Sequence, residues 1–210
     1  MTGVGMSKID QATRDRIAAA IAKAEQGTRA EFVAAVARRS DDYRSGAYLA
    51  GAIAAFLAGI MIWVLTPWPG PGEVLSAEII VFLLVVLLVV RTRAGLMLVP
   101  ARRKRRMASR VARLLFLDRG LASTEEHCGV LFFVSQAERH VEIIADHGID
   151  QTVEPGAWQQ IVDGFTQAVK RGQFEQGFVG AIEALGVLLA RHYPPEGENP
   201  NRIPDRLIEV

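Results

Sequence analysis

The stretch CGVLFFVSQAERHVEIIADHGI, residues 128–149, decides the fold. Cys128 to Val134 is a dense apolar run, Val141 to Ala145 is a second, and Ser135 to Arg139 joins them, a pattern that predicts a β-hairpin. The first run has no polar face, so its strand is expected to lie between helices on both sides of a sheet. Cys128, at the head of that strand, is expected to be buried and inert. It is the only cysteine in the chain, so no internal disulfide can form.

Working outward, Pro155 to Arg171 has Trp158, Ile161, Val162, Phe165 and Val169 at helical spacing, and Phe174 to His192 reads as a second helix. Residues 194–210 read as a polar tail with a short apolar end at Leu207 and Ile208. Upstream of the hairpin, Arg102 to Asp118 predicts a helix with Val111, Leu114, Leu115 and Leu117 on its apolar side, terminated at Gly120. At the start of the chain, Ile9 to Gln26 is amphipathic through Ile9, Ile17, Ala20, Ile21 and Ala24, with Gly27 placed as a C-cap. Thr28 to Arg39, with Phe32, Val33 and Val36, predicts a strand that ends before Asp41 and Asp42. The first 15 residues contain no apolar core of the kind a secretory signal carries.

Between these parts lies a different kind of sequence. The chain has a formal net charge of +1 and 50% apolar residues, with a mean hydropathy of +0.19. The apolar residues concentrate between Gly46 and Val90. Gly46 to Leu65 runs for 20 residues without a charge, about 30 Å as a helix, the thickness of a bilayer core. Trp63 and Trp68 flank its far end as interfacial aromatics. Pro67, Pro69, Gly70, Pro71 and Gly72 form a turn, and a second span follows at about 74–93. Glu78 is the one acid within it and is placed near the turn-side interface, where water or a proton can reach it. From Arg91 to Arg113, both included, there are nine Lys or Arg residues, and none lies between Arg44 and Arg91. The positive-inside rule then puts both flanks, and so both termini and the soluble domain, on the cytoplasmic side of the inner membrane. The run Arg102, Arg103, Lys104, Arg105 and Arg106 reads as a topology signal with attraction to anionic lipid. With near-neutral net charge and no interleaved aromatics, nucleic acid is not an expected partner. The expected partners are the lipid bilayer and other membrane proteins.

The resulting division is 1–45, a helix and a strand; 46–93, a transmembrane hairpin; 94–193, the remaining elements; and 194–210, the tail. One helix and one strand are too little to hold a core alone, so the hairpin is read as an insertion into a single α/β domain.

Gly129 to Ser135, followed by Ala137, Glu138, Arg139, His140, Val141, Glu142 and on to Ile149, resembles the central signature of TPM domains, and most closely their bacterial membrane-embedded branch. Phe116, Gly120, Leu121, Thr124, Trp158, Phe165, Phe174, Gly177, Phe178 and the end Arg202 to Val210 extend that resemblance over nearly the whole chain. It implies a three-layer α/β/α fold with a short central sheet, here interrupted by the two-helix transmembrane hairpin. It also implies either a partner-binding or envelope-maintenance role without chemistry, or a metal-dependent acid phosphatase.

The candidate chemical residues are Asp146, Asp150 and Glu154, whose oxygens suit a divalent cation such as calcium or magnesium. Their spacing is not that of an EF-hand, and Glu154 also reads as a helix N-terminal acid. Glu125, Glu126, His127, Cys128 and His140 fit no zinc spacing. Ser135 lacks a nucleophile elbow, and no phosphate-binding or dinucleotide-binding glycine pattern occurs. His192 and Tyr193 read as helix-end caps. Gly164, Gly172, Gly177, Gly180 and Gly186 read as sites of close packing or bending. Three functions follow: partner binding, phosphatase chemistry at the acidic loop, and ion or lipid handling at Glu78. With single cysteines introduced as Ser7→Cys, Ser76→Cys and Asn199→Cys in a background lacking Cys128, only position 76 is expected to react with an impermeant thiol reagent added to intact cells. Reaction at 7 or 199 reverses the sidedness.

Overall fold

The computed structural model describes residues 9–92, 94–97, 99–123, 128–195 and 206–210. Helices α1 (Gln11–Glu25), α2 (Arg44–Leu65), α3 (Pro71–Arg91), α4 (Ala94–Met97), α5 (Ala101–Asp118), α6 (His147–Asp150), α7 (Pro155–Lys170) and α8 (Phe174–His192) alternate with strands β1 (Glu31–Ala37), β2 (Gly129–Ser135), β3 (His140–Ala145) and β4 (Ile208–Glu209). The chain divides into two compact units, Met1–Ser40 with Arg105–Val210, and Asp41–Lys104.

The first unit is a mixed sheet in the order β3-β2-β1-β4. β1 runs parallel to β2 along its whole length, from Glu31 opposite Gly129 to Ala37 opposite Ser135. All seven residues of each strand are buried, which accounts for the weak polar alternation of both. Within that register Ala34 faces Phe132 and Ala35 faces Phe133, so small residues in β1 stand beside the two largest side chains of β2. Alternate residues feed opposite cores. Phe32, Ala34, Val36, Val130, Phe132 and Val134 join Ile17, Ile21, Phe165, Phe178 and Ile182 from α1, α7 and α8. Val33, Ala35, Leu131 and Phe133 join Ala108, Ala112, Leu115 and Phe116 of α5. The unit is therefore the expected three-layer α/β/α arrangement. Phe132 anchors the first core, edge-on to Phe165 at 5.4 Å and to Phe178 at 5.0 Å between ring centroids.

Local chemistry sets the element ends. The Asp10 carboxylate accepts from the Thr13 amide at 2.9 Å and caps α1. Hydrogen bonding from Thr13, aided by Arg16 and Arg14, holds Asp10 below the ordinary aspartate value. Gly120, at φ 71°, ends α5 in the left-handed region. Gly27 does not play that part: α1 is capped by Gln26 in a helical conformation.

Three further expectations are corrected. The end of the 194–210 tail is not free, because β4 pairs in parallel with β1, and the Val210 amide donates to the Val36 carbonyl at 3.0 Å. Leu114 and Leu117 do not face the core. They are 60% and 63% exposed, and the inward side of α5 is Ala108, Ala112, Leu115 and Phe116. Of the five singled-out glycines, Gly177 and Gly186 sit at close approaches and Gly172 takes a positive φ of 80°, whereas Gly164 and Gly180 border open space.

The second unit pairs α2 with α3. Both helices are long and apolar enough to cross a membrane, at 22 and 21 residues, and only 11% and 6% of their apolar windows is covered by protein. Ala47, Gly51 and Gly59 are buried along one side of α2, where Gly51 meets Phe82 and Val86 of α3 and Gly59 meets the Glu78 carboxyl. Glu78 is the eighth residue of α3, about 10 Å from its start. Trp63 and Trp68 are 66% and 97% exposed, with Trp68 at φ 60° in the turn.

Gly186 lets α8 lie against α1, since a Cβ there would stand 2.8 Å from the Ala24 Cβ and 3.1 Å from its Cα. Gly186→Val is expected to cost about 1–3 kcal/mol through overpacking, while Gly164→Ala and Gly180→Ala are expected to be neutral or stabilising by up to about 1 kcal/mol. Denaturant unfolding of the three variants measures the contrast.

Candidate functional site

The titratable cluster best defined by geometry joins α5 to the sheet edge. In β3, His140, Glu142 and Ile144 share a face, and Ile144 packs on the α5 core, so His140 and Glu142 look toward α5. Ser109 of α5 donates to Glu142 Oε2 at 2.5 Å, and His140 Nε2 lies 3.0 Å from the same oxygen. All three residues are partly buried. Ser109 Oγ is 3.5 Å from His140 Nε2, so the serine is committed to the carboxylate rather than to the imidazole. That is not the order a serine nucleophile needs. Burial pushes the Glu142 carboxyl up. The hydrogen bonds from His140 and Ser109, and the charges of His140 and Arg113, outweigh burial and leave it below the ordinary glutamate value. The arrangement ties an edge strand to a helix.

Of the three acids expected to hold a cation, Asp146 is engaged by its carboxylate at a helix start, capping α6 and accepting from the His147 amide at 2.7 Å. Asp150 is exposed within α6. Glu154 caps α7 through its carbonyl, which accepts from Ala157 at 2.9 Å, and its side chain makes no cap bond. Among the described residues no three His, Cys, Asp or Glu side chains gather as a metal site would require. Glu125, Glu126 and His127, like Thr124 and Arg202, lie outside the described residues. Cys128 and His140 stand at opposite ends of the β2–β3 hairpin, because Ser135 pairs with His140 and Val130 with Ala145. At about 3.4 Å per residue that separation excludes a shared ion.

In open α/β sheets, ligands usually bind at the carboxyl ends of the parallel strands. Here that edge is filled. Ser135 donates to Glu138 Oε2, the Ser40 amide donates to Glu138 Oε1 at 3.0 Å, and the Ser40 and Ser135 hydroxyls are 2.8 Å apart. Gln136 and Ala137 amides donate to the carbonyls of Ala37 and Arg38. Ser135 is thus a buried tie between β1 and the hairpin turn. Tyr193 has an equivalent part at the opposite edge. Its carbonyl accepts from Thr28 Oγ1 at 2.6 Å, and its hydroxyl donates to the Gly148 carbonyl at 2.6 Å. Sequence reasoning placed Tyr193 only as a cap and missed Ser109, which is 31 residues from His140. The one advance signal for the cluster was the polar pair His140 and Glu142 at strand period beside apolar neighbours.

Of the basic run, Arg102, Arg103, Arg105 and Arg106 are exposed and Lys104 is partly covered. Arg103 donates to Ser45 Oγ at 3.0 Å. Among the described residues of the first unit, a groove of about 650 Å³ opens between α7 and α8. Its floor is small and apolar, with Gly164, Ala168, Gly180 and Ala184, and Gln160, Gln176, Glu183 and Arg191 stand among its polar residues.

A three-layer domain split by an apolar helical pair is the class that these observations define. The TPM domain family matches residues 85–188, and the chain is a TPM domain protein. The match begins inside α3 and omits β1, although β1 lies within the same sheet. The structure is similar to the NMR structure of BA42 from the psychrophilic bacterium Bizionia argentinensis, with 17% identity, a TM-score of 0.60 and 100% of each chain covered. A comparison with curated proteins gives no match.

A carboxyl held below its ordinary value stabilises the fold above the unfolded value of 4.5 and loses that contribution as pH falls through the folded value. Glu142→Gln is therefore expected to flatten the loss of stability on acidification below about pH 4.5. Ser109→Ala is expected to cost about 1–2 kcal/mol near neutrality. Chemical denaturation as a function of pH measures both.

Proposed function

We propose that this TPM domain protein is anchored in the inner membrane by α2 and α3, with its domain and both termini in the cytoplasm, and that it acts by binding membrane-protein partners in an envelope-maintenance role. The groove between α7 and α8 carries this reading. It is apolar, about 650 Å³ in volume and of a size that takes several side chains. Gly164 and Gly180 leave its floor without side chains, which suits close approach by another backbone. The occupant this chemistry fits is an apolar helical segment with small residues on its contact face, flanked by polar groups that can meet Gln160, Glu183 and Arg191. The acids that a phosphatase would require are engaged at helix starts or stand apart, which favours binding over hydrolysis. The positive flanks around the two apolar helices support the sidedness.

A photo-crosslinking residue at position 187, on the groove lining, in the full chain in membranes is expected to form one dominant adduct with a membrane protein, and Gly164→Leu is expected to reduce it at least tenfold while the fold is retained. Unchanged crosslinking in Gly164→Leu removes the groove from the reading. Hydrolysis of a phosphomonoester by the purified chain, lost in Asp146→Ala and Asp150→Ala, replaces it with the divalent-cation-dependent phosphatase.

A further inference from the structure

The basic run of the sequence and the basic face of the folded helix are different sets of residues. Ala108, Ala112, Leu115 and Phe116 fix the side of α5 that meets the sheet. Within the first unit, at 100° per residue, the opposite side carries Arg106, Arg110, Arg113, Leu114 and Leu117, all of them exposed. Lys104 and Arg105 belong to the run but project toward the flank and the sheet side. Before Asp118 the helix contains no acid. Two leucines, 60% and 63% exposed, share this face with three guanidinium groups. Apolar residues set among cations are the pattern of a helix that rests in the headgroup layer of a bilayer.

We infer that this outward face of α5 is a docking surface for anionic phospholipid, formed by Arg106, Arg110 and Arg113 with Leu114 and Leu117 inserted beside them. Charge complementarity is the first argument, since anionic headgroups attract basic segments lying immediately beside a span. Tether length is the second. α5 begins ten residues after α3 ends, at most about 35 Å of chain, so the helix start cannot leave the vicinity of the membrane in which α3 is anchored. The inference rests on the proposal that α2 and α3 span the bilayer.

The test uses the full chain in lipid nanodiscs, with Cys128→Ala and Leu117→Cys carrying an environment-sensitive fluorophore. In discs with one-third phosphatidylglycerol the fluorophore is expected to shift to the blue and to be quenched by brominated lipid at least threefold more than in pure phosphatidylcholine discs, with the difference abolished by high salt. Arg106→Glu with Arg110→Glu is expected to abolish the shift. Lys104→Glu with Arg105→Glu, an equal change of charge, is expected to keep at least half of it. Equal signals in the two disc types, equal loss in the two double variants, or a signal that appears only on adding duplex DNA overturns the inference. Failure of the span reading shows separately, as extraction of the chain from neutral discs by alkaline carbonate.

Discussion

The parallel pairing of β1 with β2 is the contact on which the rest depends. Both strands are buried on both faces, and β1 bridges the β2–β3 hairpin to the two-residue β4. Without β1 the sheet would be reduced to an isolated hairpin, which is marginal in water. Parallel neighbours require a long crossover, and here that crossover contains the whole apolar helical pair together with α5. The pairing therefore constrains topology as well as fold: residues before α2 and residues after α3 must occupy one aqueous compartment.

Much of this architecture was legible because it rests on periodicity. The uninterrupted apolar run of β2 announces a central strand, and the period of Trp158, Ile161, Phe165 and Val169 locates α7 closely. Where the sequence misled, the cause was local. Apolarity alone places Leu114 and Leu117 on the core side of α5, whereas the true inward face pairs Ala108 and Ala112 with Leu115 and Phe116, the two alanines allowing close packing beneath β1 and β2. β4 escaped notice because two residues have no period, and the strand exists only through its hydrogen bonds to β1. The cluster of Ser109, His140 and Glu142 was only half visible, since strand alternation marks the His–Glu pair but nothing local ties it to a serine on a distant helix.

The polar groups of the domain hold its elements together. Glu138, Ser135 and Ser40 close the carboxyl edge of the parallel strands. Asp146 starts a helix, and Tyr193 holds the opposite edge through its carbonyl and hydroxyl. Each of these groups satisfies a buried or terminal partner, so removing it would expose unsatisfied backbone or side-chain groups. Among the described residues, an apolar groove between α7 and α8 and a basic outward face on α5 stay open.

Amide hydrogen exchange on the full chain in nanodiscs tests the shared sheet most directly. The account predicts that the amides from Phe32 to Val36 are protected to the same degree as those from Val130 to Val134 and open with them in one cooperative event. Exchange of the β1 amides at the rate of unstructured chain, while β2 stays protected, would contradict it.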